Sequence, residues 1–195
     1  MTPEIKALTA KIRNLEAELE AALGQRRAAL HVGMEKGRVF FEAEILRRHR
    51  ELRTQLGIYV LNAHSLVILA APVIYALIVP FALLDLSVTL YQAVCCPAYG
   101  IPKVRRSDYV VFDRGHLAYL NAIEKINCAY CSCADGLIAY VREIAGRTEQ
   151  HWCPIKHARR VIGAHPRYAA FEDYGDADGF RNLIARSRRA DPDQG

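Results

Sequence analysis

Charge is nearly absent from the middle of this sequence. Between Gly57 and Pro102 the only formally charged residue is Asp85. That scarcity excludes a solvated linker or a polar surface domain over these 46 residues. It also leaves too little chain elsewhere for a large soluble core. A Gly-rich phosphate loop and a Gly-x-Ser-x-Gly elbow are both missing, so neither P-loop nucleotide binding nor serine hydrolysis is indicated. No Glu-x-x-His pair occurs, which removes the carboxylate-bridged di-iron class.

Met1-Thr2-Pro3-Glu4 has no basic start and no short apolar run, so it does not read as a signal peptide. Glu16, Glu18 and Glu20 argue against a transit peptide. Positive charge is thinly spread. Residues 1–56 hold 11 Lys/Arg against 8 Asp/Glu, and residues 103–195 hold 15 against 12. Such a mild excess suits a surface facing anionic lipid headgroups. Nucleic-acid binding wants a denser basic stripe with stacking aromatics, so nucleic acid is not an expected partner.

What is present in the middle is length. Leu66 to Leu84 runs nineteen residues without a charge, close to the roughly 20 that a spanning helix needs. The full block divides into two helices of about 22 residues, each about 33 Å long, enough to cross a hydrocarbon core twice. Arg47, Arg48, Arg50 and Arg53 precede it, and Lys103, Arg105 and Arg106 come after it. A hairpin keeps both clusters on the cytoplasmic side. The expectation is therefore a membrane-embedded hairpin over 57–102 in a bacterial-type inner membrane, with Pro80 at its apex and both termini cytoplasmic. A re-entrant hairpin fits the same charges, and one long tilted span with an amphipathic helix after it is the alternative. In the hairpin, His64, Cys95 and Cys96 share a depth, which makes them a second candidate site against the plainer reading of small buried residues and a capping histidine.

Residues 1–56 read as a helical arm. Ile5, Leu8, Ile12, Leu15, Leu19 and Ala22 alternate spacings of three and four, a heptad seam that Gly24 weakens. Gly33 and Gly37 bracket a bend, and a second helix is expected from Arg38 to Leu56. The arm either packs on its own chain or docks a partner, another membrane protein or a second copy.

Residues 103–166 read as a small cytoplasmic α-helical Cys/His domain. Asp113 is placed to cap a helix over 114–127, and Asp135 to cap another that stops at Gly146. Cys128, Cys131 and Cys133 fall between them. Pro154 forces Cys153 out of helical geometry and suits the first turn of a helix ending at Gly163, which puts Cys153 at an N-cap with a lowered thiol pKa. Cys128, Cys131, Cys153 and His157 then form two short-spaced ligand pairs, the pattern of tetrahedral zinc, with Cys133 as an alternative fourth ligand. Four thiolates with a proline after the last also suit an iron–sulfur cluster. A dithiol redox pair and four unliganded cysteines are the remaining readings.

The expected whole is a mainly α protein: arm, membrane hairpin, Cys/His domain, and a polar tail over 167–195. That tail carries a short basic amphipathic helix over 180–189 and a disordered end. The expected role is an integral membrane accessory or adaptor protein with a structural metal, rather than an enzyme. The alternatives are membrane-anchored electron transfer or metal delivery, and a lipid-linked enzyme with Cys153 as nucleophile and His157 or His151 as base.

Overall fold

The computed structural model describes residues 3–29, 32–35, 38–41 and 43–189. The chain is mainly helical, as expected. Among the described residues seven α-helices appear in order: α1 Pro3–Ala29, α2 Ala43–Glu51, α3 Leu56–Leu61, α4 Ser65–Ala76, α5 Ile78–Ala98, α6 Ala122–Trp152 and α7 Ala177–Arg189. Short 3-10 turns occupy Arg106–Asp108, Asp113–His116 and Pro166–Ala170. α1 is unbroken at Gly24 and opens on Pro3, with Glu4 in its first turn and Arg26 and Arg27 in its last. All of these suit the helix dipole and its unpaired end groups.

The helix expected over 38–56 is not formed as one piece. Val32–Glu35 (β1) and Arg38–Phe41 (β2) pair antiparallel in the register Val32↔Phe41 to Glu35↔Arg38, so helix begins only at Ala43. Val39-Phe40-Phe41 is a β-favouring string, and pairing with Val32–Glu35 overrides its weak helical periodicity. Gly33 lies inside β1; Gly37 lies outside the described residues.

Pro80 is not an apex. From Ser65 to Ala98 only Leu77 leaves helical assignment, and it keeps right-handed backbone angles (φ −64°, ψ −13°). Pro80 has no N–H to give the carbonyl of Ala76, which accounts for the interruption one turn earlier. Helical bonding resumes at once, with Phe81 N donating to Leu77 O at 3.2 Å. The run then stops sharply. Gly100 takes φ +66°, Ile101 N reaches back to Cys96 O at 2.8 Å, and Gly100 N to Pro97 O at 3.3 Å. This is a complete Schellman cap, and the accompanying apolar pair, Ile101 and Cys96, is buried.

The two helices expected around the cysteine cluster are one helix. α6 runs 31 residues through Asp135 and Gly146. It starts later than Asp113, at a reciprocal cap: Glu124 N donates to Asn121 Oδ1 at 3.0 Å, and Asn121 N to Glu124 Oε2 at 2.8 Å. Gly136 serves close packing. A Cβ there would stand 2.6 Å from the carbonyl oxygen of Tyr109 and 2.9 Å from the Cα of Val110. Pro154 ends α6, as its restriction on Cys153 requires. The segment after it is extended rather than helical: Lys156 N donates to Glu172 O, and Glu172 N to Pro154 O, closing a parallel bridge.

The chain forms two compact units, each drawn from separated stretches: 1–15, 86–104 and 140–195 in one, 16–85 and 105–139 in the other. The first is built on Cys96, Ile101, Val104, Tyr140, Ile144 and Phe171, with Gln92 buried among them. The second is built on Val110, Ala134 and Leu137, with Asn121 buried. α7 matches the expected basic helix and begins one residue after Asp176, whose Oδ1 accepts from Gly179 N at 2.8 Å. Residues 190–195, expected to be disordered, lie outside the described residues.

The cap at Asn121 carries a prediction. Asn121→Ala should cost about 1 kcal/mol, the usual worth of an N-cap, and Asn121→Ser should recover most of it. Chemical unfolding of detergent-solubilised protein followed by circular dichroism measures both.

Candidate lipid-facing helix and its polar seam

Ser65–Ala98 is one 34-residue helical run, long and apolar enough to cross a membrane. Its two sides differ in the wrong sense for a soluble protein. The outward side carries Leu66, Leu69, Val73, Val79, Leu86, Leu90 and Val94, with Leu69 and Val73 75% and 71% exposed. The covered side carries Ala71, Tyr75, Phe81, Asp85, Val88, Tyr91, Gln92, Cys95 and Cys96. Within α4, and again within α5, they recur at helical spacing and share a side. Tyr75, Asp85, Tyr91 and Gln92 are therefore on the covered side and most of the leucines and valines outside, while Ser87 and Thr89 are exposed.

Tyr75, Asp85, Tyr91 and Gln92 each have a partner. In the unit containing α4, Asp85 takes Arg106 bidentately, Nε to Oδ1 at 3.0 Å and Nη2 to Oδ2 at 2.8 Å. Tyr75 OH donates to Asn127 Oδ1, and Tyr130 OH to the carbonyl of Ile74 at 2.8 Å. Phe81 packs against the same Tyr130 ring. In the other unit, Gln92 Oε1 accepts from Val104 N at 2.6 Å, while its Nε2 donates to Val104 O and Tyr140 OH. Tyr91 OH and Thr148 Oγ1 lie 2.9 Å apart. Sequence reasoning singles out Asp85 as the one charge of the apolar block. It misses Gln92, and no local pattern pairs Asp85 with an arginine 21 residues on.

The cysteines and histidines do not gather. Among the described residues no three of His, Cys, Asp and Glu form a group able to hold a metal ion. Cys128 and Cys131 sit on α6 about 60° apart around its axis, but Cys133 points about 160° away from Cys131. Cys128, Cys131 and Cys133 belong to one unit, Cys153 and His157 to the other. With residues 153–157 extended rather than helical, the N-cap that would have activated Cys153 is not formed. Neither unit by itself holds four of the ligands expected for zinc or an iron–sulfur cluster. His157 instead stacks on Tyr168, and His151 packs against Tyr99 and Trp152. The pairing of His64 with Cys95 and Cys96 depended on a reversal at Pro80. His64 instead caps α4, its Nδ1 accepting from Leu66 N, and Cys96 is a core residue of the other unit.

A second polar cluster lies beside a cavity of about 650 Å³ lined by Ile101, Pro102, Arg147, His151, Arg167 and Phe171 among others. Glu143 Oε1 accepts from Arg147 Nε and Arg167 Nη2, both at 2.8 Å. Arg147 Nη1 also donates to the carbonyls of Pro102 and Lys103, tying α6 to the segment after the Schellman cap. Burial opposes the charged form of Glu143, but the hydrogen bonds and charges of Arg167 and Arg147 outweigh it and hold the carboxyl below its ordinary value of 4.5.

No known protein family, characterised protein or solved structure matches this chain.

Two predictions test the seam and the cluster. Gln92→Leu should destabilise the protein by about 2 kcal/mol, because the Val104 N–H loses its acceptor in a buried site. Equilibrium unfolding in detergent measures it. Because the folded-state pKa of Glu143 is lowered, its stabilisation is complete above the ordinary carboxylate range and is lost as pH falls through that lowered value. Glu143→Gln should therefore melt below wild type at pH 7, with the gap closing on acidification below 4.5. A gap independent of pH would show that the carboxylate's charge is not what matters.

Proposed function

We propose that this chain is a membrane-associated accessory or adaptor protein whose α4–α5 run lies along the cytoplasmic face of a bacterial-type inner membrane. The observation that carries this reading is the inversion of α4–α5: leucines and valines crowd the exposed side, while Tyr75, Asp85, Tyr91 and Gln92 are turned inward and partnered. In water that arrangement exposes the surface that folding ought to bury. In lipid it is the stable one, since polar groups within a membrane turn to the protein interior.

An in-plane seat suits the run better than a crossing. Its 34 residues extend about 51 Å at 1.5 Å per residue. A core of about 30 Å would then demand a tilt of about 54°, beyond the usual limit of about 40°. α6 bears on the same question. In one unit its Asn127 and Tyr130 hold α4, close in sequence to Lys125. In the other its Tyr140 and Thr148 hold α5, amid Arg142, Glu143 and Arg147. A crossing would draw these charges toward hydrocarbon at about 3 kcal/mol apiece. An in-plane helix leaves them in water, keeps Arg47–Arg53 and Lys103–Arg106 on one side, and keeps both termini cytoplasmic. The accessory role follows from an architecture of helices and docking surface; it rests on the helix and not on the cysteines.

The protein should sediment with membranes, resist high-salt washing and leave with detergent. Leu69→Asp/Val73→Asp should move most of it to the soluble fraction. In sealed vesicles, Ser65→Cys and Ala98→Cys should both react with an impermeant maleimide from the same side, above the labelling of the native cysteines. Reaction from opposite sides would establish a crossing. Recovery of the wild-type chain in the soluble fraction would end the membrane reading.

A further inference from the structure

We propose that α1 is one strand of a parallel, two-stranded coiled coil formed with a second copy of this chain. The helix is unbroken from Pro3 to Ala29, so its seam is a physical stripe as well as a sequence pattern. Taking Ile5 as position a, the a column reads Ile5, Ile12, Leu19 and the d column Leu8, Leu15, Ala22. β-branched residues at a with leucine at d favour two parallel strands, whereas leucine at a with isoleucine at d favours three or four. Leu8, Ile12, Leu15 and Leu19 are 55 to 62% exposed. Their own chain leaves the seam uncovered.

Charge selects the occupant. In a parallel dimer a g residue faces the e residue five positions later on the partner strand. Lys11 stands at g and Glu16 at e, so a second copy in register brings two opposite-charge pairs, related by the two-fold axis. The other such pairs, Glu4 with Thr9 and Glu18 with Leu23, contain no repulsion. Among the described residues neither Lys11 nor Glu16 is in an ion pair within its own chain. The pair that α1 does make, Glu20 with Arg27 at 3.3 Å, joins two b positions, away from the seam. Arg26 would occupy the next a position and face its own copy, so the seam ends at Ala22. This dimer is independent of the lipid reading, because its seam is on α1 and the lipid reading rests on α4–α5.

The experiment uses the full chain in detergent micelles, with mass from sedimentation equilibrium corrected for bound detergent. The expected result is a dimer that Ile12→Asp dissociates. Lys11→Glu and Glu16→Lys should each weaken it about threefold to tenfold, and the double exchange should restore it. Lys11→Glu keeps a good helix former on an exposed face, so it tests the interface without risking the helix. Leu15→Cys should oxidise to a covalent dimer beyond what the native cysteines give. A monomer at all concentrations would overturn the proposal. So would a dimer indifferent to Ile12→Asp, or one in which the double exchange restores nothing and Leu15→Cys does not cross-link, the pattern of antiparallel strands.

Discussion

Asp85, Tyr91 and Gln92 lie on the covered side of α5 and Tyr75 on that of α4, where the exposed sides are mostly leucine, isoleucine and valine, and each polar group must be satisfied where it lies. This constraint organises the rest of the molecule. A buried carboxylate without a counter-ion would be costly, and Arg106 meets it with two parallel bonds. A buried amide needs several partners at once, and Gln92 finds both the N–H and the carbonyl of Val104 as well as Tyr140. To supply those partners the chain must turn back after α5. The Schellman cap at Gly100 provides that reversal, and α6 furnishes Asn127, Tyr130, Tyr140 and Thr148.

The same logic explains why an element with so many charges accompanies one with so few. α6 pairs its charges away from the apolar run. Glu143 is held by Arg147 and Arg167, and Arg142 reaches the carbonyls of Gly163 and Ala164. Its apolar residues Leu137, Tyr140 and Ile144 are buried. Among the described residues the aliphatic exterior of α4–α5 stays exposed, and it is this exposure that the proposed lipid seat would relieve.

Much of this is legible in the sequence. The low charge over 57–102 locates the apolar run, and the single exception, Asp85, is one of its anchoring groups. The heptad seam marks α1, and the basic amphipathic pattern marks α7. Other features are decided by contacts that no local signal reports. Asp135 and Gly146 look like a start and a stop, yet an aspartate or glycine within a helix costs only about 1 kcal/mol, and packing overrides it. Gly136 answers to Tyr109 and Val110, and a Cβ at Gly146 would meet His165 at 3.0 Å. Asn121-x-x-Glu124 is a readable capping box that Asp113 obscures. Pro80 resembles a turn because it sits at the middle of the run, whereas a helix in lipid tolerates it. The cysteine region is read with a chain break that the structure does not have: on the continuous α6, Cys128 and Cys131 stay about 60° apart while Cys133 turns away from Cys131.

The most direct test of the inverted helix is a spin-label scan from Leu66 to Val94 in liposomes, reading access to oxygen and to a water-soluble relaxant. The account predicts oxygen access that oscillates with the helical repeat, with peaks at positions such as Leu69, Val73, Leu86 and Leu90. Those peaks should lie at one shared depth from end to end. A depth that climbs to the bilayer centre and falls again would contradict the in-plane seat. High access to the water-soluble reagent on the leucine side would contradict lipid contact altogether.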